Sequence, residues 1–116
     1  MSDAWKVRLG RQAEQDYVDI LRWTRTTFGQ VQARTYSVTM SLAVQALQEG
    51  PQIAGSKLRN DIGPGIRTLH VARLGRKGRH IVIFRAAEER NIDVLRLLHD
   101  SMDLSRHLPA ANDRSH

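Results

Sequence analysis

Trp5, Val7 and Leu9 alternate with Lys6 and Arg8, and the run ends at Gly10, the period-two pattern of a strand with one buried face. From about Arg11 the period changes. Ala13, Tyr17, Ile20, Leu21, Thr24 and Phe28 recur at the spacing of a helical stripe, and Gly29 suits the residue that closes a helix. The pattern predicts a second helix from about Gln30 to Glu49, with Tyr36, Met40, Ala43, Val44 and Leu47 on one face and Gly50-Pro51 as its stop. So little chain separates the two helices that they must fold back as an antiparallel hairpin, each presenting an apolar stripe to cover something.

What they cover lies downstream. After a Gly- and Pro-bearing stretch from Gly55 to Gly65 come three runs, Ile66–Arg73, Arg79–Ala87 and Ile92–Leu98, joined by short polar or Gly-bearing links that mark antiparallel hairpins. Ile81-Val82-Ile83-Phe84 is apolar throughout, as expected of a central strand buried on both faces. Asp100 or Ser101 is a candidate N-cap for a short C-terminal helix carrying Leu104 and Leu108, with Pro109 after it, and Ala110 to His116 reads as a frayed tail. The order is β-α-α-β-β-β. The fold class is α+β: an N-terminal strand and an antiparallel helical hairpin packed on a twisted antiparallel sheet, with a short C-terminal helix. A length of 116 residues suits a single domain over 1–116, its core spanning about 5–108 and its tail 109–116.

Composition changes little of this picture but excludes several chemistries. With 41% hydrophobic and 26% charged residues the chain is of globular type. The absence of cysteine removes disulfide scaffolds, thiolate metal sites and cysteine nucleophiles, and makes the cytoplasm the expected compartment. The N-terminal residues carry no apolar run of signal-peptide length, and no stretch is long and apolar enough to span a membrane, so no membrane partner is expected.

Charge adds more. Eighteen Lys and Arg against 12 Asp and Glu give a net charge of +6, and the segment from Lys57 to Arg85 holds eight cations (Lys57, Arg59, Arg67, Arg73, Arg76, Lys77, Arg79, Arg85) against Asp61 alone. Fifteen of the cations are Arg, whose planar fork suits carboxylate and phosphate. The middle of the chain therefore calls for an anionic partner, a nucleic acid or an acidic protein surface.

Catalysis has few candidates. Among His70, His80, His99, His107 and His116 no pair has the i, i+4 spacing of a zinc-binding helix, and Gly63-Pro64-Gly65 and Gly75-Arg76-Lys77-Gly78 read as turns, since neither opens a helix. No metal, cofactor or small-molecule substrate is implied. A metal-free nuclease could use Arg67, Arg79, His80, Arg85 and His107, with His99 nearby, to position a phosphodiester and stabilise its transition state. Against this stands the ordinary role of any one such residue: an exposed strand Arg is solvated, and a His beside Asp residues at a strand end is hydrogen-bonded. Trp5 reads as core. Trp23 lies beside the helical stripe, free to contact the sheet or a partner, and 5% aromatic content is too little for a base-stacking platform.

The chain resembles the RelE/ParE toxin superfamily of type II toxin–antitoxin systems, and within it the ParE-like branch. The resemblance is carried by the opening from Val7 to Ile20, the Phe28-Gly29 break before Ala33-Arg34 and Tyr36, Gly65-Ile66-Arg67, Ile83-Phe84-Arg85, and Val94 to His99 followed by Met102-Asp103 and Arg106-His107-Leu108. It covers about residues 5 to 108. The closing signature of His99, Met102, Asp103, Arg106 and His107 is its most specific part.

The resemblance implies a toxin neutralised by a cognate antitoxin. ParE-like members inhibit DNA gyrase and so replication, by binding rather than as enzymes; RelE-like members are ribosome-dependent endoribonucleases that cut mRNA. Where RelE-type nucleases carry an Arg after the last strand and a Tyr beyond it, this chain has Ser101 and His107, and the counterpart of their Lys-rich strand, Thr68 to Ala72, has no Lys. These departures favour gyrase inhibition, with the nuclease as the alternative and a small nucleic-acid-binding module as a third reading. The residues expected to meet a partner are Arg59, Arg67, Arg73, Arg76, Lys77, Arg79 and Trp23.

Overall fold

The structure, a computed structural model, describes residues 4–107 apart from the side chains of Ser105 and His107. The predicted tail and Leu108 of the C-terminal helix lie outside the described residues. In order come β1 (Lys6–Leu9), α1 (Arg11–Phe28), α2 (Gln30–Ala46), β2 (Lys57–Leu58), β3 (Ile66–His70), β4 (His80–Ala87) and β5 (Asn91–His99), with single 3-10 turns at Leu47–Glu49, Glu88–Arg90 and Leu104–His107. Gly29 alone joins the helices. At φ 97° it occupies backbone space that side chains disfavour; its N–H donates to the Arg25 carbonyl at 2.9 Å and its carbonyl accepts the Ala33 N–H at 3.1 Å.

The five strands lie in the order β1-β5-β4-β3-β2. β2 to β5 run antiparallel to their neighbours, and β1 returns beside β5 in parallel, Val7 opposite Ile92 and Leu9 opposite Val94. The helical hairpin carries the chain from β1 at one edge of the sheet to β2 at the other, and the β2–β5 meander then brings β5 back beside β1. β2 is too short to show any alternation in the sequence, and only its pairing of Lys57 with Thr68 and Leu58 with Arg67 defines it.

The helices cover one face of the sheet. Ala13, Met40, Ala43 and Leu47 close on Leu69, Val82, Phe84, Val94 and Leu97, all buried. On the other face Ile66, Ile83 and Leu98 are closed by Leu104 from the last turn. β4 thus sends Val82 and Phe84 to one core and Ile83 to the other, which accounts for its unbroken apolar run. The β4–β5 register shifts between Ile83, opposite Arg96, and Phe84, opposite Val94, leaving Leu95 as an extra residue. Beside this bulge Arg96 reaches α1: its Nε donates to Asp16 Oδ2 at 2.8 Å and an Nη donates to Oδ1 at 3.0 Å, while the Leu97 N–H reaches the same carboxylate at 2.9 Å. Helix and sheet are locked there.

The apolar stripe of α1 leaves the core beyond Thr24. Phe28 is 60% exposed and meets Trp23, itself 58% exposed, edge-on with 5.6 Å between ring centroids. Trp5 is half-buried against the core, with the Arg90 guanidinium 5.0 Å above its ring.

Candidate functional site

The first residue of β4, His80, lies opposite the last residue of β5, His99, and their rings meet edge-on with centroids 5.3 Å apart. Both stand where the exposed end of α1 and the flank of α2 overhang the sheet. Tyr36, on the core stripe of α2, directs its hydroxyl at this corner. The oxygen accepts the backbone N–H of Arg79 at 3.1 Å, so the hydroxyl proton goes to His80 Nδ1 at 2.6 Å. The neutral His80 ring then carries its own proton on Nε2. Burial, reinforced by the neighbouring His99, lowers the His80 pKa to about 4, so this ring is neutral at physiological pH. Burial likewise raises the Tyr36 phenol and keeps it a donor.

Asp100 forms a second knot just past β5. Its carboxylate accepts Arg79 Nε–H at 3.1 Å and His70 Nε2–H at 3.0 Å, and its backbone N–H donates to the Arg79 carbonyl at 2.7 Å. The Arg79 hydrogen bonds, followed by that of His70, hold the Asp100 carboxyl at about 2. His70 Nδ1 accepts the Ala72 N–H, and His99 Nδ1 accepts the Ser101 N–H at 3.1 Å beside the Ser101 hydroxyl at 2.7 Å. In all three histidines Nδ1 is therefore taken by a neighbouring group. The expected capping role of Asp100 or Ser101 gives way to these bonds, since the last turn begins only at Leu104.

Between these knots runs the β3–β4 loop. Gly78 is pressed so closely on α2 that a Cβ there would lie 2.6 Å from Val71 Cγ2 and 2.8 Å from the Tyr36 ring. Arg76 Nε donates to Thr39 Oγ1 at 2.9 Å, which ties the loop to the helix a second time. Loop, α2 and the end of α1 enclose a groove of about 610 Å³. Trp23 and Phe28 wall one side, Arg76, Lys77 and Arg79 the other, with Tyr36, His80 and His99 at its inner end.

Of the residues expected to meet a partner, Trp23, Arg76, Lys77 and Arg79 line this groove together. Arg73 lies at the loop's start and donates to the Ala54 carbonyl at 3.4 Å. The structure places Arg59 and Arg67 elsewhere. Arg59 is paired with Asp61 at 2.8 Å, an ion pair that lowers the Asp61 carboxyl and raises the Arg59 guanidinium, and Arg67 donates to Ser56 Oγ at 2.9 Å. The nuclease candidates are divided in the same way: Arg79 and His80 lie at one end of β4, while Arg85 passes over Gly65 at the other end, near Arg67. The His107 side chain lies outside the described residues. In the closing signature, His99 belongs to the groove, Met102 N–H donates to the His99 carbonyl at 3.1 Å, and Asp103 and Arg106 pair at 3.4 Å on the exposed turn that seats Leu104. Tyr36, Thr39, His70, Asp100 and Gly78 are site residues that sequence reasoning missed. Tyr36 was hidden by its place in a core stripe, and the pairing of His70 with Asp100 by their distance along the chain.

Residues 7–104 match the model of a family described as the ParE toxin of type II toxin-antitoxin systems, parDE. The chain belongs to this ParE toxin family, within the ParE/RelE superfamily. Relatives named Toxin ParE1, from two strains of Mycobacterium tuberculosis, are each 30% identical over 100 residues, spanning 86% of this chain and 94% of the relative. Among solved structures, a chain of the chromosomal ParDE toxin–antitoxin system from P. aeruginosa has the same fold, with a TM-score of 0.66 and 24% identity over 84% of this chain and 98% of that one. A chain of the RelBE2 toxin–antitoxin complex from Mycobacterium tuberculosis also shares it, at TM-score 0.56 and 18% identity over 83% of this chain and 98% of that one.

Proposed function

We propose that this chain, acting as one toxin domain in the cytoplasm, arrests growth by binding DNA gyrase and blocking replication, and that a cognate antitoxin neutralises it. Membership of the ParE family supports the toxin role. The observation that carries the mode of action, binding rather than cleavage, is the division of the basic candidates. His80 and Arg85 lie about 17 Å apart along β4 at the usual rise per residue and on alternate faces of the strand, too far apart to hold one phosphodiester. The histidines are not hydrogen-bonded to one another: the Nδ1 atoms of His70, His80 and His99 meet the Ala72 N–H, the Tyr36 hydroxyl and the Ser101 N–H.

Pulse labelling after induction in bacterial cells separates the mechanisms. Gyrase inhibition predicts that thymidine incorporation falls before amino-acid incorporation. An early stop in amino-acid incorporation, with mRNA cut at the ribosome, would instead assign the chain to the endoribonuclease alternative.

A further inference from the structure

We infer that the outer face of α2 pairs antiparallel with the same face of a second copy of this chain. The inference goes beyond the toxin reading and does not depend on it. α2 buries Thr39, Met40 and Ala43 on its inner side. Away from them run Val31, Thr35, Val38, Leu42 and Gln45, all exposed, at steps of four, three, four and three residues. That is the spacing of a coiled-coil seam. Val31 is 73% exposed, Val38 49% and Leu42 45%. Thr35 borders the groove, and the other four lie outside its lining. Apolar residues exposed singly are ordinary; a seam of them along one helix face is not. α1 shows the usual alternative, for its exposed positions carry Arg11, Glu14, Asp19, Arg22 and Arg25. α2 has one charged residue, Arg34.

This scarcity of charge selects the occupant. An acidic peptide or a phosphate backbone would find a single cation on the face, whereas an identical face brings apolar seam to apolar seam without burying a carboxylate. Parallel pairing would set Arg34 against Arg34 and align the two helix dipoles. Antiparallel pairing over the whole seam places the two-fold axis at its middle residue, Val38. Val38 then meets its own copy, Val31 lies beside Gln45 of the second copy, and Arg34 lies beside Leu42 of the second copy. The two Arg34 residues stand about 12 Å apart along the axis, beyond the screening length of about 8 Å at physiological salt. Helices of 17 residues overlap for about 25 Å, and so short an interface lies at the low end of specific contacts. The dimer is therefore a weak one, with a dissociation constant in the micromolar range.

Sedimentation equilibrium of the full chain tests this. At about 0.15 M salt, the mass is expected to rise with concentration from the 13.2 kDa of one chain toward twice that value. Val38→Glu sets two carboxylates against each other at the axis and is expected to weaken association at least tenfold. Met102→Glu, the same change at an exposed apolar residue beyond β5, should stay within twofold. Because the chain has no cysteine, introduced thiols report the pairing directly. With a short bifunctional thiol reagent, Val38→Cys should crosslink to itself. Val31→Cys should crosslink to Gln45→Cys but not to itself, since its two copies lie about 21 Å apart along the axis. A mass of one chain at every concentration overturns the inference, as does a dimer that Val38→Glu leaves intact. Self-crosslinking of Val31→Cys would show parallel pairing and overturn it as well. A chain that is monomeric alone, and whose Val38→Glu variant loses antitoxin or gyrase binding, would assign the face to that partner instead.

Discussion

The Tyr36 hydroxyl accepts one hydrogen bond and donates another, and so joins α2 to both the loop backbone and the first residue of β4. Tyr36→Phe leaves the Arg79 N–H and His80 Nδ1 without their partner. It is expected to cost about 1–3 kcal/mol, read as a lower urea midpoint at unchanged slope. His80 adds a pH dependence of definite sign. Its pKa is about 4 in the folded chain against about 6.5 when unfolded, so the unfolded state takes up the proton first. The stability this neutral ring contributes is complete above about pH 6.5 and is lost as pH falls toward 4. Asp100, held at about 2, acts in a lower window, losing its contribution as pH falls from about 4 toward 2. Urea midpoints at pH 7, 5.5 and 4 should decline less steeply for His80→Phe than for the natural chain; parallel profiles would show that His80 does not titrate in this way.

Two contacts decide how the elements sit together. Asp16 on α1 holds Arg96 and the Leu97 N–H of β5 in a site where both side chains are mostly buried. Asp16→Ala removes the acceptor from a guanidinium and an amide at once, and a loss of about 3 kcal/mol in unfolding free energy is expected. Gly78→Ala is predicted to push the β3–β4 loop off α2, since the added methyl meets Val71 and Tyr36; amide exchange at Arg79 should rise while that of β4 beyond Ile81 stays protected. The elements themselves were largely legible in the sequence, because each strand or helix buries a face and so shows a period: both helices, the three long strands and Gly29 fall where the apolar pattern puts them. β2 was not legible, as two residues show no period, nor was the parallel return of β1, which depends on a partner more than 80 residues away. The same limit applies to the site. Arg76, Lys77 and Trp23 could be picked out by charge or by position beside the stripe, but the bonds from Tyr36 to His80 and from His70 to Asp100 join residues whose neighbourhood only the folded sheet creates.

For the whole molecule, the +6 net charge acts through its placement. Part of the basic segment is spent internally, Arg59 on Asp61 and Arg79 on Asp100, while Lys77 lines the groove beside exposed apolar surface. Binding that combines these features should fall with salt less steeply than binding to phosphates alone, where each neutralised phosphate adds nearly one to the slope of log affinity against log salt. Gyrase inhibition is the claim with the widest consequence, and the measurement that bears on it most directly is supercoiling of relaxed plasmid by purified gyrase, titrated with the chain beside an in vitro translation reaction. The expected result is loss of supercoiling, reversed by antitoxin, at concentrations that leave translation intact. Full supercoiling with translation halted and the message cleaved would contradict it.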